Sequence, residues 1–320
     1  MLGGRIWEPH RGRLSLSSTA VTSPNADAER RSGFGAGLGA YILWGFLPLL
    51  FHLLEPVGAV AIVANRTIWS LLFVGVILLA GRRIGEVKAA LSDWPTLRSM
   101  MISSVLLVVN WLIYVWAVGE GQVLEGSFGY FINPLVNVAI GMAFLGERQN
   151  RWQTVSIAIA IVAIGIQWLG IGRIPFIALG LALSFGFYGF FRKTAKVGST
   201  SGLFVETLVL VPLALLYLVW IFVQQGGLGV EGEPFYMTTL ILTGPATAVP
   251  LLLFAFAVQR LRLTTIGMLQ YIGPSIQFLV AIFILHEPIN ATQLVSFGLI
   301  WLSLIVYSGD SVLRRRPATA

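Results

Sequence analysis

The sequence predicts an all-α integral membrane protein of ten transmembrane helices, arranged as two inverted five-helix repeats with both termini cytoplasmic. Three observations carry that prediction. Of 320 residues, 56% are hydrophobic and only 11% are Asp, Glu, Lys or Arg, against roughly 25% charged in a soluble domain. Apolar runs of 18 to 24 residues follow one another from Phe34 onward, each long enough at about 1.5 Å per residue to cross a hydrocarbon core of about 30 Å. The second half also repeats the first at an almost constant offset of 140 residues.

Residues 1–33 are polar, rich in Ser, Arg and Gly and without an apolar stripe, the composition of a disordered cytoplasmic tail. The spans read as 34–54, 57–80, 97–118, 125–145, 152–170, 174–191, 200–223, 236–258, 264–285 and 291–308, and a basic tail follows at 309–320. Such runs must be helices, because hydrocarbon offers the backbone no partner. Several are joined by two to six residues, which makes consecutive spans antiparallel neighbours. The first repeat is then 34–170 and the second 174–308. Of the 21 Lys and Arg, nineteen fall on the side of the N-terminus, Arg173 falls on the other, and Arg66 lies within a span. By the positive-inside rule both termini are cytoplasmic.

The repeat is carried by polar residues. Pro134, Glu147, Asn150, Gln153 and Ser156 match Pro274, Glu287, Asn290, Gln293 and Ser296, and Asn137 matches Gln277 amide for amide. Each half has five spans, an odd number, so the second is threaded in the opposite direction. Inverted repeats of this kind are a transporter architecture, with the substrate site near the midplane where the repeats meet.

Other chemistries find little support. The chain has no cysteine, which excludes disulfides, thiolate metal sites and a cysteine nucleophile. GAGLGA at 35–40 opens a span with no strand before it, so close helix packing explains it better than a dinucleotide. Lys88, Lys193 and Lys196 are the only lysines and none follows a glycine-rich loop, so no nucleotide-driven pump is encoded. His10, His52 and His286 share no helix face with a second ligand at metal spacing. No catalytic residue, metal or cofactor is therefore expected, and the scattered basic residues do not form a nucleic-acid face.

The informative residues are polar groups inside the spans. Arg66 lies nine residues into the second span, about 14 Å from its edge, where an unpaired Arg costs about 2.5–3.5 kcal/mol even on a lenient scale. The 140-residue offset maps Arg66 onto Glu206, an opposite charge at the equivalent repeat position, which suggests an ion pair or two charges facing a hydrated cavity. Tyr130, Asn133 and Asn137 share one face of the fourth span, and Gln270, Gly273 and Gln277 one face of the ninth, beside the helix-interrupting Pro134 and Pro274. Tyr271 follows Gln270, and Asn110, Trp111 and Tyr114 of the third span extend the same lining. Glu125 opens the fourth span, as a cavity-mouth acid or a solvated helix N-terminus. Glu147 and Glu287, just after the fourth and ninth spans, suit helix-end and loop ordering.

The segments EGSFGYFINPLVNVAIGMAFLGER at 125–148, ANRTIWS at 64–70, ALGLALSFGFYGFFRK at 178–193 and RLRLTTIGMLQYIGP at 260–274 resemble the RarD branch of the EamA-type transporters, in the drug/metabolite transporter superfamily. The resemblance spans residues 34–312 and implies two inverted EamA repeats, a bacterial inner-membrane location and secondary transport, usually export, of small metabolites. The expected function is alternating-access transport of a small molecule, with a membrane-embedded enzyme or a passive channel as alternatives. The bilayer and the substrate are the expected partners, with proton coupling, and a monomer or homodimer, left open.

Single cysteines placed in this cysteine-free chain report the topology. Ser92→Cys should stay shielded from an impermeant thiol reagent outside intact cells while Gly232→Cys is labelled. Labelling of Ser92→Cys alone would reverse the orientation.

Overall fold

A chain confined to hydrocarbon satisfies its backbone through helices, and among the described residues every regular element is helical. The computed structural model describes residues 24–145, 150–172, 174–228, 230, 232–261, 266 and 269–313. The first half holds α1 (Pro24–His52), α2 (Ala59–Ala80), α3 (Ile84–Ser92), α4 (Trp94–Gly119), α5 (Val123–Leu145) and α6 (Arg151–Ile171). The second holds α7 (Phe176–Thr194), α8 (Ser199–Gln225), α9 (Pro234–Arg260), α10 (Ile272–Phe283) and α11 (Ala291–Leu313). Nine of the apolar intervals fall on these helices over most of their length, and the interval 264–285 holds α10 in its second part. Six of these helices, α1, α2, α4, α6, α8 and α9, are individually long and apolar enough to cross a membrane. Leu169, Leu216, Phe222 and Ile305 leave well over half of their surface exposed, an outward apolar face suited to lipid.

Three boundaries differ from expectation. The first helix begins at Pro24, so residues 24–33 of the expected tail are helical; Ala, Glu and Arg there favour helix although they are polar. Residues 1–23, 314–320 and Glu147 lie outside the described residues. The loop between the second and third spans contains α3, which buries Val87 and Ala90. Its Glu86 accepts from Arg83 Nε at 2.7 Å and from Ser201 Oγ at 2.6 Å, which ties α3 to α8. The hydrogen bond from Arg83, then that from Ser201, holds the Glu86 carboxyl below its usual range. Finally, α10 starts only at Ile272, after a turn at Gln270 and Tyr271, so Pro274 stands in a first helical turn where its missing N–H is harmless. Pro134 does lie inside its helix, α5.

The halves pack by exchange. α1 lies on α9 and α10, and correspondingly α7 lies on α4 and α5; α2 meets α9 as α8 meets α4. The pairs α2 with α8, α5 with α10 and α6 with α11 are their own symmetry mates and mark the pseudo-twofold axis. Two glycines permit close approach of one helix backbone to another. A Cβ on Gly129 would come within 2.7 Å of the Ala178 backbone, and one on Gly244 within 2.5 Å of the Trp69 backbone. Serines fix register across the same helices: Ser70 donates to the Gly244 carbonyl at 3.2 Å and Ser104 to the Glu206 carbonyl at 3.2 Å.

The repeated amides turn out to cap helices. Gln153 N donates to Asn150 Oδ1 and Asn150 N to Gln153 Oε1, each at 3.0 Å, and Asn290 with Gln293 repeats this reciprocal box at 3.0 and 2.8 Å. Glu287 caps at long range, accepting from Val123 N at 2.7 Å and Leu124 N at 2.9 Å at the start of α5. Two orphan donors and the positive end of the helix dipole both favour a carboxylate there.

Burial nonetheless raises the Glu287 carboxyl above its ordinary range, and the two N–H donors only partly oppose it. A carboxyl raised on folding binds its proton more tightly in the folded chain. That increment of stability is present below the unfolded glutamate value of about 4.3 and is lost as pH rises through the raised one. Glu287→Gln should therefore flatten the pH dependence of the unfolding temperature just above that value, whereas Glu287→Ala, which strands both donors, should cost about 1 kcal/mol. An unchanged pH profile in Glu287→Gln would show that this carboxyl does not titrate there.

Candidate functional site

Polar residues cannot face lipid cheaply, so those inside the spans gather where the halves meet. They surround a cavity with about 70 Å³ of space for the centres of water-sized molecules, more than the roughly 10–15 Å³ one water needs. α1 contributes Tyr41, Trp44 and Phe51, α2 Arg66, and α4 Asn110, Trp111 and Tyr114. α5 adds Tyr130 and Asn133, α7 Phe185, and the segment into α10 adds Gln270, Pro274 and Gln277.

The wall is only partly self-satisfied. Asn110 is fully engaged: its Nδ2 donates to the Leu181 carbonyl at 3.2 Å and to Ser184 Oγ at 3.1 Å, and its Oδ1 accepts from Tyr130 OH at 3.1 Å. It ties α4, α5 and α7 together behind the wall. Gln277 Nε2 donates to the Trp44 carbonyl at 3.1 Å, while Gln277 Oε1, both amide atoms of Asn133 and the hydroxyls of Tyr41 and Tyr114 are buried with no hydrogen-bond partner among the described residues. Stranding such groups in a dry site would cost about 1–3 kcal/mol each. All of them belong to side chains that line the cavity.

Arg66 is the cation of this wall. Only 3% of its surface is exposed. Its Nε donates to Thr247 Oγ1 at 3.0 Å, and its Cζ lies 4.2 Å from the Trp111 ring centroid and 5.0 Å from that of Phe51. Ring quadrupoles replace part of the hydration an Arg loses on burial. Among the described residues no carboxylate pairs with it.

Glu206 is not its partner. Its Oε1 accepts from Ser103 Oγ at 2.6 Å and lies 3.7 Å from Arg192 Nε, and no part of its side chain is exposed. The expected pairing fails for a geometrical reason. Arg66 is seven residues into α2 and Glu206 seven residues into α8, each about 10 Å from its own helix start, and antiparallel threading puts those starts on opposite membrane faces. The offset finds the symmetry mate, and a symmetry mate across an in-plane axis is in the other leaflet. Arg192, one of the nineteen basic residues on the side of the N-terminus, is mostly buried, with Nη2 also donating to the Ser199 carbonyl at 3.3 Å.

Of the remaining sequence-predicted site residues, Glu125 is buried and accepts from Ile177 N at 3.3 Å, at the start of α7. It is neither solvated nor on the cavity wall, because a carboxylate is more useful to the neighbouring helix's exposed N–H groups. Tyr271 lies half-buried in the turn before α10, off the wall. The side chain of Asn137 lies outside the described residues. Sequence reasoning missed Tyr41, Trp44, Phe51, Phe185 and Thr247. The first two are three residues apart on α1, and Trp44 sits in the WGF segment that resembles FGF at 185–187, which was the available signal.

Comparison with known proteins bears on the family and the fold. A model of the EamA-like transporter family matches residues 31–168 and again 173–309. The protein RarD of Escherichia coli (strain K12) is 39% identical over 288 residues, covering 90% of this chain and 97% of that one. RarD of Streptomyces exfoliatus is 39% identical, covering 92% and 94%, and an uncharacterized transporter of Pseudomonas aeruginosa 40% identical, covering 91% and 99%. A solved crystal structure shares the fold with a TM-score of 0.62 at 16% identity, over 90% of this chain and 99% of that one.

The two buried charges should behave differently in stability measurements. Breaking the Arg192–Glu206 contact from one side strands a buried charge, at about 3–5 kcal/mol in typical pairs, so Glu206→Gln and Arg192→Gln should each lower the unfolding temperature and the double variant recover much of the loss. Arg66→Gln combined with Glu206→Gln should instead be additive. Coupling in the second cycle and none in the first would contradict the contacts described.

Proposed function

The chain belongs to the EamA-like transporter family, in its RarD branch, and we propose that it is an alternating-access secondary transporter, exporting a small organic metabolite across the bacterial cytoplasmic membrane through the central cavity. The single observation that carries this reading is the wall of unpaired amide and hydroxyl groups contributed by both inverted repeats at one enclosed place. Such a place is reached from opposite sides when one repeat rocks against the other. Among the described residues the wall's ionisable groups are Arg66 and tyrosines, which suits binding better than acid–base turnover, since none of them is a carboxylate or an imidazole. A passive channel would need a continuous polar path, whereas Phe51, Trp111, Leu107 and Leu251 enclose this cavity with apolar surface.

Proteoliposomes loaded with a low-molecular-weight cell extract, with efflux read by mass spectrometry, should show saturable release and counterflow of a small set of compounds. Asn133→Leu and Gln277→Leu should each lower that flux about tenfold or more at normal membrane expression, because each removes a polar group from the wall while making the span more apolar. Unchanged flux in both variants would remove the cavity from the pathway, and non-saturable flux without counterflow would favour the channel.

A further inference from the structure

We infer that the cavity takes a small organic monoanion, a carboxylate seated on Arg66 with an apolar, ring-bearing body among Tyr41, Trp44, Tyr114 and Phe185. The inference rests on reading the cavity as the transport site. Charge supplies its first argument. Among the described residues, Arg192, with 15% of its side chain exposed, faces Glu206, whereas Arg66 has only Thr247 and two aromatic rings. A hydroxyl and ring quadrupoles hold a guanidinium in place without cancelling its charge, so the cavity carries a net positive potential in low-dielectric surroundings, where Coulomb terms are large. An organic cation would be repelled there and an anion held.

Geometry narrows the class. Trp111 and Phe51 lie against the planar guanidinium and Thr247 engages Nε, while Arg66 itself lines the cavity. What remains for a ligand is the in-plane pair of terminal nitrogens, and that fork matches the two oxygens of a carboxylate. A phosphate dianion would call for a second cation, and among the described residues no lysine or other arginine is on the wall. The rest of the lining is aromatic. Tyr41 and Trp44 stand 5.4 Å apart by ring centroid, as do Tyr114 and Tyr130, and Phe185 is 6.2 Å from both Trp44 and Tyr130. Such a shell favours a flat apolar body over a sugar-like one. The unpaired Asn133 amide and Gln277 Oε1 can then fix a hydroxyl, keto or amide substituent on that body.

Thermal unfolding of the purified full chain in lipid nanodiscs tests the class, with 3-phenylpropionate, 3-phenylpropanamide, 3-phenylpropan-1-amine and inorganic phosphate as probes of equal concentration. The carboxylate should raise the unfolding temperature in a saturable way, and the amide, amine and phosphate should not. This comparison uses the unaltered protein and so does not depend on any variant folding. Arg66→Gln should bind the carboxylate about tenfold more weakly or worse and lose its preference over the amide, and Arg66→Lys should retain the preference for charge. Stabilisation by the amine or amide equal to that by the carboxylate would overturn the proposal, as would no stabilisation by the carboxylate or an undiminished effect in Arg66→Gln. A failed transport reading is distinguishable: carboxylate binding at Arg66 would persist while Asn133→Leu and Gln277→Leu left flux unchanged.

Discussion

Within a hydrocarbon layer each backbone group and each charge must find its partner inside the chain, and much of this fold follows from that single constraint. Helices answer it along their length and fail at their ends, where N–H groups are left over. Here the ends are met in two ways. Asp93, which accepts from Thr96 N at 3.1 Å, and the Asn150–Gln153 and Asn290–Gln293 boxes cap their own helices. The starts of α5 and α7 borrow distant carboxylates, Glu287 and Glu125. Both borrowings serve helices on the cavity wall: Glu287 orders a helix end, as its place in the sequence suggests, and Glu125, a candidate cavity-mouth acid by sequence, does the same for α7.

The same constraint explains how the pseudo-symmetry is both kept and broken. The main helix contacts obey it. Charges do not. Arg66 and Glu206 occupy equivalent positions with opposite sign, and their surroundings diverge to suit: Phe51 and Trp111 around the cation, Ser103 and Arg192 around the anion. With the one-residue slip that aligns WGF at 44–46 with FGF at 185–187, Phe51 and Arg192 are themselves equivalent. One pseudo-symmetric position thus supplies a ring to one half and a counter-charge to the other. The duplicated backbone is a packing solution, and the substitutions upon it leave one copy lining a cavity and the other closed on an ion contact.

What the sequence made legible follows from the kind of signal each feature leaves. Span positions were readable because length and apolarity are local properties, and the inverted repeat because polar matches such as Asn150 with Asn290 recur at one offset. The cavity face was readable in part: Tyr130 with Asn133, and Gln270 with Gln277, declare themselves by helical spacing. Partners were not readable. Arg66 and Thr247 are 181 residues apart, and Ser103 and Glu206 are 103 apart, and no offset predicts such contacts. The charge pairing read from symmetry erred because it treated equivalence as proximity. α3 and the early start of α1 escaped because polar composition argues against a membrane span but says nothing against a surface helix.

The placement of the cavity adds a mechanical consequence. Its walls come from the half of the molecule nearer the end of α1, the start of α2 and the end of α4, where Phe51, Arg66, Trp111 and Tyr114 sit. The symmetry-equivalent region lies toward the start of α8, and there Glu206, Arg192 and Ser103 close on one another. In an inverted-repeat transporter, the opposite-facing state arises when the two halves exchange conformations. On that reading, the exchange would open the region around Glu206 as it closes the one around Arg66. With both termini cytoplasmic, Glu206 lies toward the cytoplasmic side and Arg66 toward the outer one, so an exported anion would meet Glu206 and Arg192 before Arg66. The two ends of the path would then differ by the sign of the charge at one repeated position, which a symmetric pair of arginines or of glutamates could not provide. The Arg192–Glu206 contact would deny the anion a resting place on the way in, because a ligand carboxylate can hold Arg192 only by displacing a partner already in place.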